Sequence, residues 1–556
     1  MPADTRTPTR KLQSAQDRPA QDRPGPDRPA GSHRTVRARL TGWRLLVALL
    51  ALLLVPGGLA AAALAADQPE PAPTTTALRH PSLPQAPDAV ARGQLERSAT
   101  AARLVRKSTA PQLFTPERTN SAGSLPTLAL APRDTPYTLA ELREDVPAAF
   151  ADVPDVPGAL LVTANLEVPV GAALAIDART PDVRLASGPS GFAALISRGT
   201  TTVTGTPDRP VRISSWDPQL RAPDATSTDG RSFVLQVGGR MDVDHAAFSS
   251  LGFGTGTTSG VAWRGAAPEI AGAAADADRI PARGTVTDST FTGNHFGAYT
   301  HEAAGMRWAG NTFADNEEYG FDPHDFSDDF VVEGNTAHHN GKHGFIFSRG
   351  CNNNVLRDNT AYANTGHGFM IDDGRSEASA TAEARIDPSN DNVVIGNRAY
   401  DNAGSGVELE GGTGNIVTRN ELTGNDIGVR AKDKATAVIT DNTITGSVRY
   451  GVHVMDATSH AALDRNRISG SWAAVNLAAP ESATLGTNPA TDVSTPLVVA
   501  GVAQRDPSWL DQVGQFLRWN PVLVLWGLIL GVPLAVAALR VLRAPFRLHR
   551  HRARPA

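Results

Sequence analysis

The second half of the chain runs in short segments where apolar and polar residues alternate, as in Gly451-Val452-His453-Val454. Alternation with period two is the mark of a strand with one buried face. Each segment is led by a glycine: Gly320, Gly344, Gly368, Gly406, Gly428 and Gly451. An apolar residue follows at once (Phe321, Phe345, Phe369, Val407, Val429, Val452). A second stands two positions on (Pro323, Phe347, Ile371, Leu409, Ala431, Val454). Asparagine marks the turn ahead, at Asn311, Asn335, Asn359, Asn397, Asn420, Asn442 and Asn466, at intervals of 24, 24, 38, 23, 22 and 24 residues. A period in the low twenties signals a solenoid. With no helical pattern and no leucine consensus between the strands, the solenoid is an all-β parallel β-helix. Its buried ladder is the two apolar series above. Short amides at the turns satisfy backbone groups that a regular sheet leaves unpaired. The long interval adds 14 residues between Asp372 and Asn390, an insertion leaving the stack.

Outside that region the text changes. Residues 1–44 are polar and proline-rich and predict disorder, with a basic cluster at Arg34, Arg37, Arg39 and Arg44. Residues 45–66 are uncharged and apolar and predict a signal peptide or transmembrane helix; residues 521–539 predict a second membrane helix, followed by a basic tail over 540–556. Basic flanks lie on the cytoplasmic side, so everything between the two runs is expected outside the membrane, with the chain anchored in it. Residues 67–155, rich in Pro and Ala, read as a linker with one short helix near Leu95–Val105. Residues 156–477 read as the β-helix, and 478–520 as a juxtamembrane linker.

Composition narrows the function. In 556 residues there is one cysteine, Cys351, so no intrachain disulfide can brace the domain. The net charge of −5 argues against nucleic acid as a partner. No set of His, Cys, Asp or Glu has the tight spacing of a metal-binding motif, and no cofactor is expected. Registering the coils on their glycines stacks Tyr319, His343 and His367 in one file. The outward positions then hold Asp322, Ile346, Met370, Glu408, Arg430 and His453, and beside them His324, Ser348, Asp372, Glu410, Lys432 and Met455. Tyrosine, histidines and carboxylates thus gather along a groove parallel to the helix axis, with Arg349 just past the strand. A long polymer fits such a groove. Glu408, Glu410, Arg430 and Lys432 read as the solvated outer face of the solenoid.

One heptapeptide in this frame, Tyr319-Gly320-Phe321-Asp322-Pro323-His324-Asp325, resembles the motif of the polymannuronate (alginate) C5-epimerases, right-handed parallel β-helix enzymes. Asn340-Gly341-Lys342-His343-Gly344-Phe345 and His367-Gly368-Phe369 are similar as well. The resemblance implies an acidic polysaccharide as substrate, with His324 and Tyr319 as acid and base, Asp322 orienting them, and a cation, Arg349 or Lys342, offsetting the sugar carboxylate. His343, His367, Asp325 and Asp372 are the expected substrate-positioning residues. Those residue types suit the chemistry. A carbon-bound proton beside a carboxylate leaves only if that negative charge is offset, and histidine is a base near neutrality. Returning the proton to the opposite face is epimerisation; expelling the 4-linked sugar is a lyase reaction. A non-catalytic glycan-binding or scaffolding β-helix is the other reading. Two positions depart from the family pattern: Glu317 stands where the periplasmic branch has histidine, and Gly366 where the secreted branch has arginine.

Overall fold

The computed structural model describes residues 86–499 except 117–124, 154–155, 189–190, 255, 269–278 and 376–385, together with positions 513, 527 and 529. Within the compact unit Thr76–Pro521 the chain winds as a β-helix. One coil runs Phe321–His324, Val331–Glu333 and Thr336–His338; the next runs Phe345–Ser348, Val355–Arg357 and Thr360–Tyr362. Each strand pairs in parallel with its counterpart in the next coil, Phe321 with Phe345, Val331 with Val355 and Thr336 with Thr360. Three sheets of 15, 13 and 16 strands result among the described residues.

The interior is the ladder expected from the alternation. Phe321, Phe345, Phe369, Val407 and Val429 are fully buried, in one cluster that runs the length of the helix. Equivalent rings stack, Phe345 on Phe369 at 5.0 Å and Phe291 on Phe313 at 5.1 Å. The register puts like side chains one strand spacing apart, about 4.8 Å. Burying each large apolar side chain stabilises the fold by about 1.5–3 kcal/mol.

Asparagines close the turns in internal ladders. The Nδ2 of Asn335 donates to Asn359 Oδ1 and to the Trp308 carbonyl, both at 2.9 Å, and the Asn335 backbone N–H donates to the same Asn359 Oδ1 at 2.9 Å. The ladder continues through Asn397, Asn420, Asn442 and Asn466. A parallel ladder joins Asn316, Asn340, Asn364, Asn402 and Asn425. The residue just before the marker asparagine is left-handed, as at Gly334 (φ 63°), Asp358 (φ 56°) and Gly396 (φ 67°), which explains the Gly-Asn and Asp-Asn pairs in the sequence. Asn359→Ala leaves the Asn335 N–H and the Val332 carbonyl without their bonds in a dry interior. The expected cost is about 2–5 kcal/mol, read from urea unfolding of the purified domain.

Two segments read as linkers contribute to the fold. In the stretch 67–155, an amphipathic helix, Pro87–Val105, buries Val90, Ala91, Ala101, Ala102 and Val105. Gln94 on that helix donates to the Phe192 carbonyl at 2.5 Å, and Ser98 bonds the buried Glu167. Strands Gln112–Phe114 and Thr127–Ala129 pair antiparallel and join the first sheet. Low hydrophobicity hid these contacts, because the helix packs through alanine and polar side chains. At the other end, the coils continue past Leu477 to Ala490–Thr491 and Thr495–Val499. The apolar runs 45–66 and 521–539 lie outside the described residues, apart from Gly527 and Ile529. No helix among the described residues is long and apolar enough to cross a membrane.

Candidate functional site

The outer face of the first sheet carries two adjoining files. Register pairing stacks Tyr299 below Asp322 and His301 below His324. Above them, Ile346 lies under Met370, Met370 under Glu408, and Glu408 under Arg430. These side chains point away from the coil interior, as expected, yet Asp322 is 1% and His324 8% exposed. Tyr299, Tyr319, Ile346 and Met370 form part of a second apolar cluster outside the sheet. Its presence is the reason that outward direction here does not mean solvation.

Asp325 is the hub. Its carboxylate faces His301 Nε2 at 2.9 Å and His324 Nδ1 at 3.1 Å, and it accepts from both Nε and Nη2 of Arg349. Burial opposes ionisation of Asp325, but the bonds from His301, His324 and Arg349 outweigh it and hold the carboxyl well below the usual range. The backbone makes this possible: Asp325 (φ 36°) and Phe326 (φ 60°) are left-handed, turning the chain off the strand directly after His324. With Nδ1 turned to the carboxylate, Nε2 is the nitrogen on the other side of the His324 ring. Arg349 is 28% exposed and is the most accessible of the four side chains. Glu302 Oε2 lies on the other side of His301, 3.6 Å from its Nδ1, and Arg349 is the permanent cation that pairs with Asp325. Asp325, expected to position substrate, has its carboxylate among His301, His324 and Arg349.

At the start of the same strand, Tyr319, His343 and His367 stack face to face, with ring centroids 5.5 and 4.8 Å apart. The backbone N–H of His367 donates to His343 Nδ1 at 2.9 Å, and that of Ser405 donates to His367 Nδ1 at 2.8 Å. An accepting Nδ1 fixes the neutral ring with its proton on Nε2. Burial, with the cationic neighbours Lys342, Arg430 and Lys432 in support, pushes both rings down to about 3. The file thus supplies neutral N–H donors. It also explains Gly366: a Cβ there would sit 2.3 Å from His343 Nδ1, so the backbone approach that bonds the imidazole excludes any side chain.

The same bonds predict a pH dependence. Unfolded, the two rings titrate near 6.5, so between about pH 6.5 and 3 the unfolded chain binds more protons than the fold. The stability they contribute is complete above that window and is lost as the pH falls through it. Replacing both by glutamine is expected to flatten the fall in melting midpoint between about pH 7 and 4.5. An unchanged slope would contradict the neutral pair.

Lys342 stands on this side, 49% exposed, bonded to Glu318 at 2.8 Å and 5.0 Å from the Tyr319 ring centroid. It is not beside His324; Arg349 is. Asp372 is fully buried and accepts from Ser348 Oγ at 3.1 Å. Its oxygens come within 4.8 Å of Asp373 and Glu410, a set able to ligate a cation. Arg375 pairs with Asp373 and Lys432 with Glu410, at 3.0 and 2.9 Å, so side-chain cations already offset that charge. The insertion beside it closes at its stem through the Asp387 N–H to the Asp373 carbonyl, 3.1 Å.

His301 and Tyr299 escaped the sequence reading. The 23-residue step back from His324 and Asp322 is the signal that locates them, since Gly297 stands the same 23 residues before Gly320. Tyr299 and His324 have ring centroids 5.9 Å apart. Glu317 accepts from His295 Nδ1 and pairs with the buried Arg231 Nη2, both at 2.9 Å. Burial works against the Glu317 charge, but these two keep its carboxyl below the usual range. A histidine therefore stands in that file one coil lower, at His295.

A family model described as right handed beta helix region matches residues 269–384 and 378–468. The mannuronan C5-epimerase of Pseudomonas aeruginosa is 28% identical over 197 residues, 35% of this chain and 34% of that protein. The mannuronan C5-epimerase AlgG of Azotobacter vinelandii is 29% identical over 198 residues, 35% of each chain. The matched stretch thus spans about a third of the length of these curated relatives. The crystal structure of the periplasmic alginate epimerase AlgG superposes with a TM-score of 0.55 at 19% identity, covering 76% of this chain and 99% of that one, a likeness of fold.

Proposed function

We propose, for a chain whose right-handed β-helix resembles that of the mannuronan C5-epimerases, that the outer face of the first sheet epimerises C5 of uronate residues within an acidic polysaccharide. The observation that carries this reading is the Asp325 hub, which joins His324, His301 and Arg349 on adjoining coils within the matched stretch. A sugar lying across Asp322 has His324 and Arg349 at one end of the strand and Tyr319 at the other. Arg349 offsets the uronate carboxylate and the charge that grows on it as the C5 proton leaves. His324 Nε2 takes that proton while Asp325 holds the ring. Tyr319, or Tyr299 in the coil below, returns a proton to the opposite face. His343 and His367 donate N–H bonds to sugar oxygens.

The test is proton NMR of the purified domain with polymannuronate in deuterium oxide. Loss of the C5 proton signal without chain cleavage supports the epimerase; unsaturated sugar ends make it a lyase; neither, with binding retained, leaves a glycan-binding protein.

An extracytoplasmic, membrane-anchored location is part of the proposal, supported by the two apolar runs and their basic flanks. Cys351 is fully buried, so Glu421→Cys, with a parent side chain 66% exposed, gives a clean probe. Labelling of intact cells by an impermeant thiol reagent is expected. Labelling only after lysis would overturn the location.

A further inference from the structure

Two ion pairs lie further along the same strip. Glu408 is fully buried and receives Arg430 Nε at 2.7 Å on each oxygen and Ser405 Oγ at 2.8 Å. One residue pair along, Lys432 Nζ lies 2.9 Å from Glu410 Oε2. The sequence suggests a solvated charged face, but the exposure is one-sided. Glu408 and Glu410 are 0% and 4% exposed, Arg430 and Lys432 20% and 23%. Each pair is thus a dipole with its cation outward. Burial pushes the Glu408 and Glu410 carboxyls up against the pull of those cations, so the buried member is the costly one. Arg430 and Lys432 support the neutrality of His367, and none of the four otherwise enters the proposed chemistry.

Their position gives them a use. The file steps from Asp322 through Ile346, Met370 and Glu408 to Arg430, four steps over five coils. At one strand spacing per coil this is roughly 19 Å. A 1,4-linked pyranose advances by a similar distance per sugar, and in a two-fold ribbon every second carboxylate returns to the same edge. With one carboxylate at Arg349, another on the same edge about four sugars away reaches the Arg430 and Lys432 pair. Ile346 and Met370, between the two ends, are apolar and only 3% and 4% exposed, so the ends of the strip carry the polar contacts.

We propose that Arg430 and Lys432, held outward by Glu408 and Glu410, form a distal subsite for a uronate carboxylate, so that the protein discriminates long polyuronate chains from short ones. The inference rests on the polyuronate reading above and extends it to chain length. The subsite touches no reacting atom and acts on affinity.

Calorimetry with a mannuronate trimer and a mannuronate decamer tests it, on the wild type and on a variant carrying Glu408→Gln, Arg430→Gln, Glu410→Gln and Lys432→Gln. The paired changes leave no buried charge unmatched. Decamer affinity is expected to fall roughly tenfold, about the loss of one partly exposed charge contact, with trimer affinity unchanged. If that variant melts early, the pair Glu410→Gln with Lys432→Gln alone is measured and should weaken decamer binding by about threefold. Equal decamer affinity in a folded variant, or an equal loss for trimer and decamer, overturns the subsite and leaves the proposed activity standing. A wild type that binds neither oligomer overturns both.

Discussion

His324→Ala is expected to lower turnover on polymannuronate by about 100- to 10,000-fold, the range for a lost general acid or base. The melting midpoint should stay within about 2–4 °C, because the ring lies outside the coil and Asp325 keeps Arg349 and His301 after its removal. A purely structural role makes the opposite claim: lower stability and unchanged binding in whatever remains folded. Melting and C5 exchange measured on the same preparation separate the two, and normal exchange in folded His324→Ala would end the catalytic assignment.

Arg349→Ala is the second large effect. The guanidinium holds Asp325 with two nitrogens and is the most exposed cation beside His324, so its loss removes both the charge that offsets the uronate carboxylate and one support of the hub. We expect kcat/KM to fall by about 100- to 1,000-fold, with KM raised and kcat lowered together. Arg349→Lys should recover little, since an ammonium cannot bond Asp325 in the same two-pronged way and still face substrate. A change in KM alone would make Arg349 a binding residue with no part in the proton transfer. Measuring both constants on one substrate length decides between them.

Much of this was legible in the chain. Period two within strands, a repeat in the low twenties between them and asparagine at each turn determined the β-helix, its buried ladder and the register of its outer files, because each follows from local spacing. Hence the spacing alone assigns Asp322 with His324, and Tyr319 with His343 and His367, to their files. Tertiary structure alone decided three other things. Which outward residues are dry depends on what packs over the sheet: Glu408 and Glu410 turned from solvated face into buried carboxylates, with Arg430 and Lys432 paired to them. The hub depends on left-handed backbone at Asp325 and on Arg349 reaching down one coil, neither of which spacing encodes. The neutrality of His343 and His367 depends on backbone N–H groups one coil above, brought close only where Gly366 and Gly404 omit a side chain. A repeating sequence determines which residues share a file; burial and charge arise from what neighbouring coils bring against it, and those contacts exist only once the chain is wound.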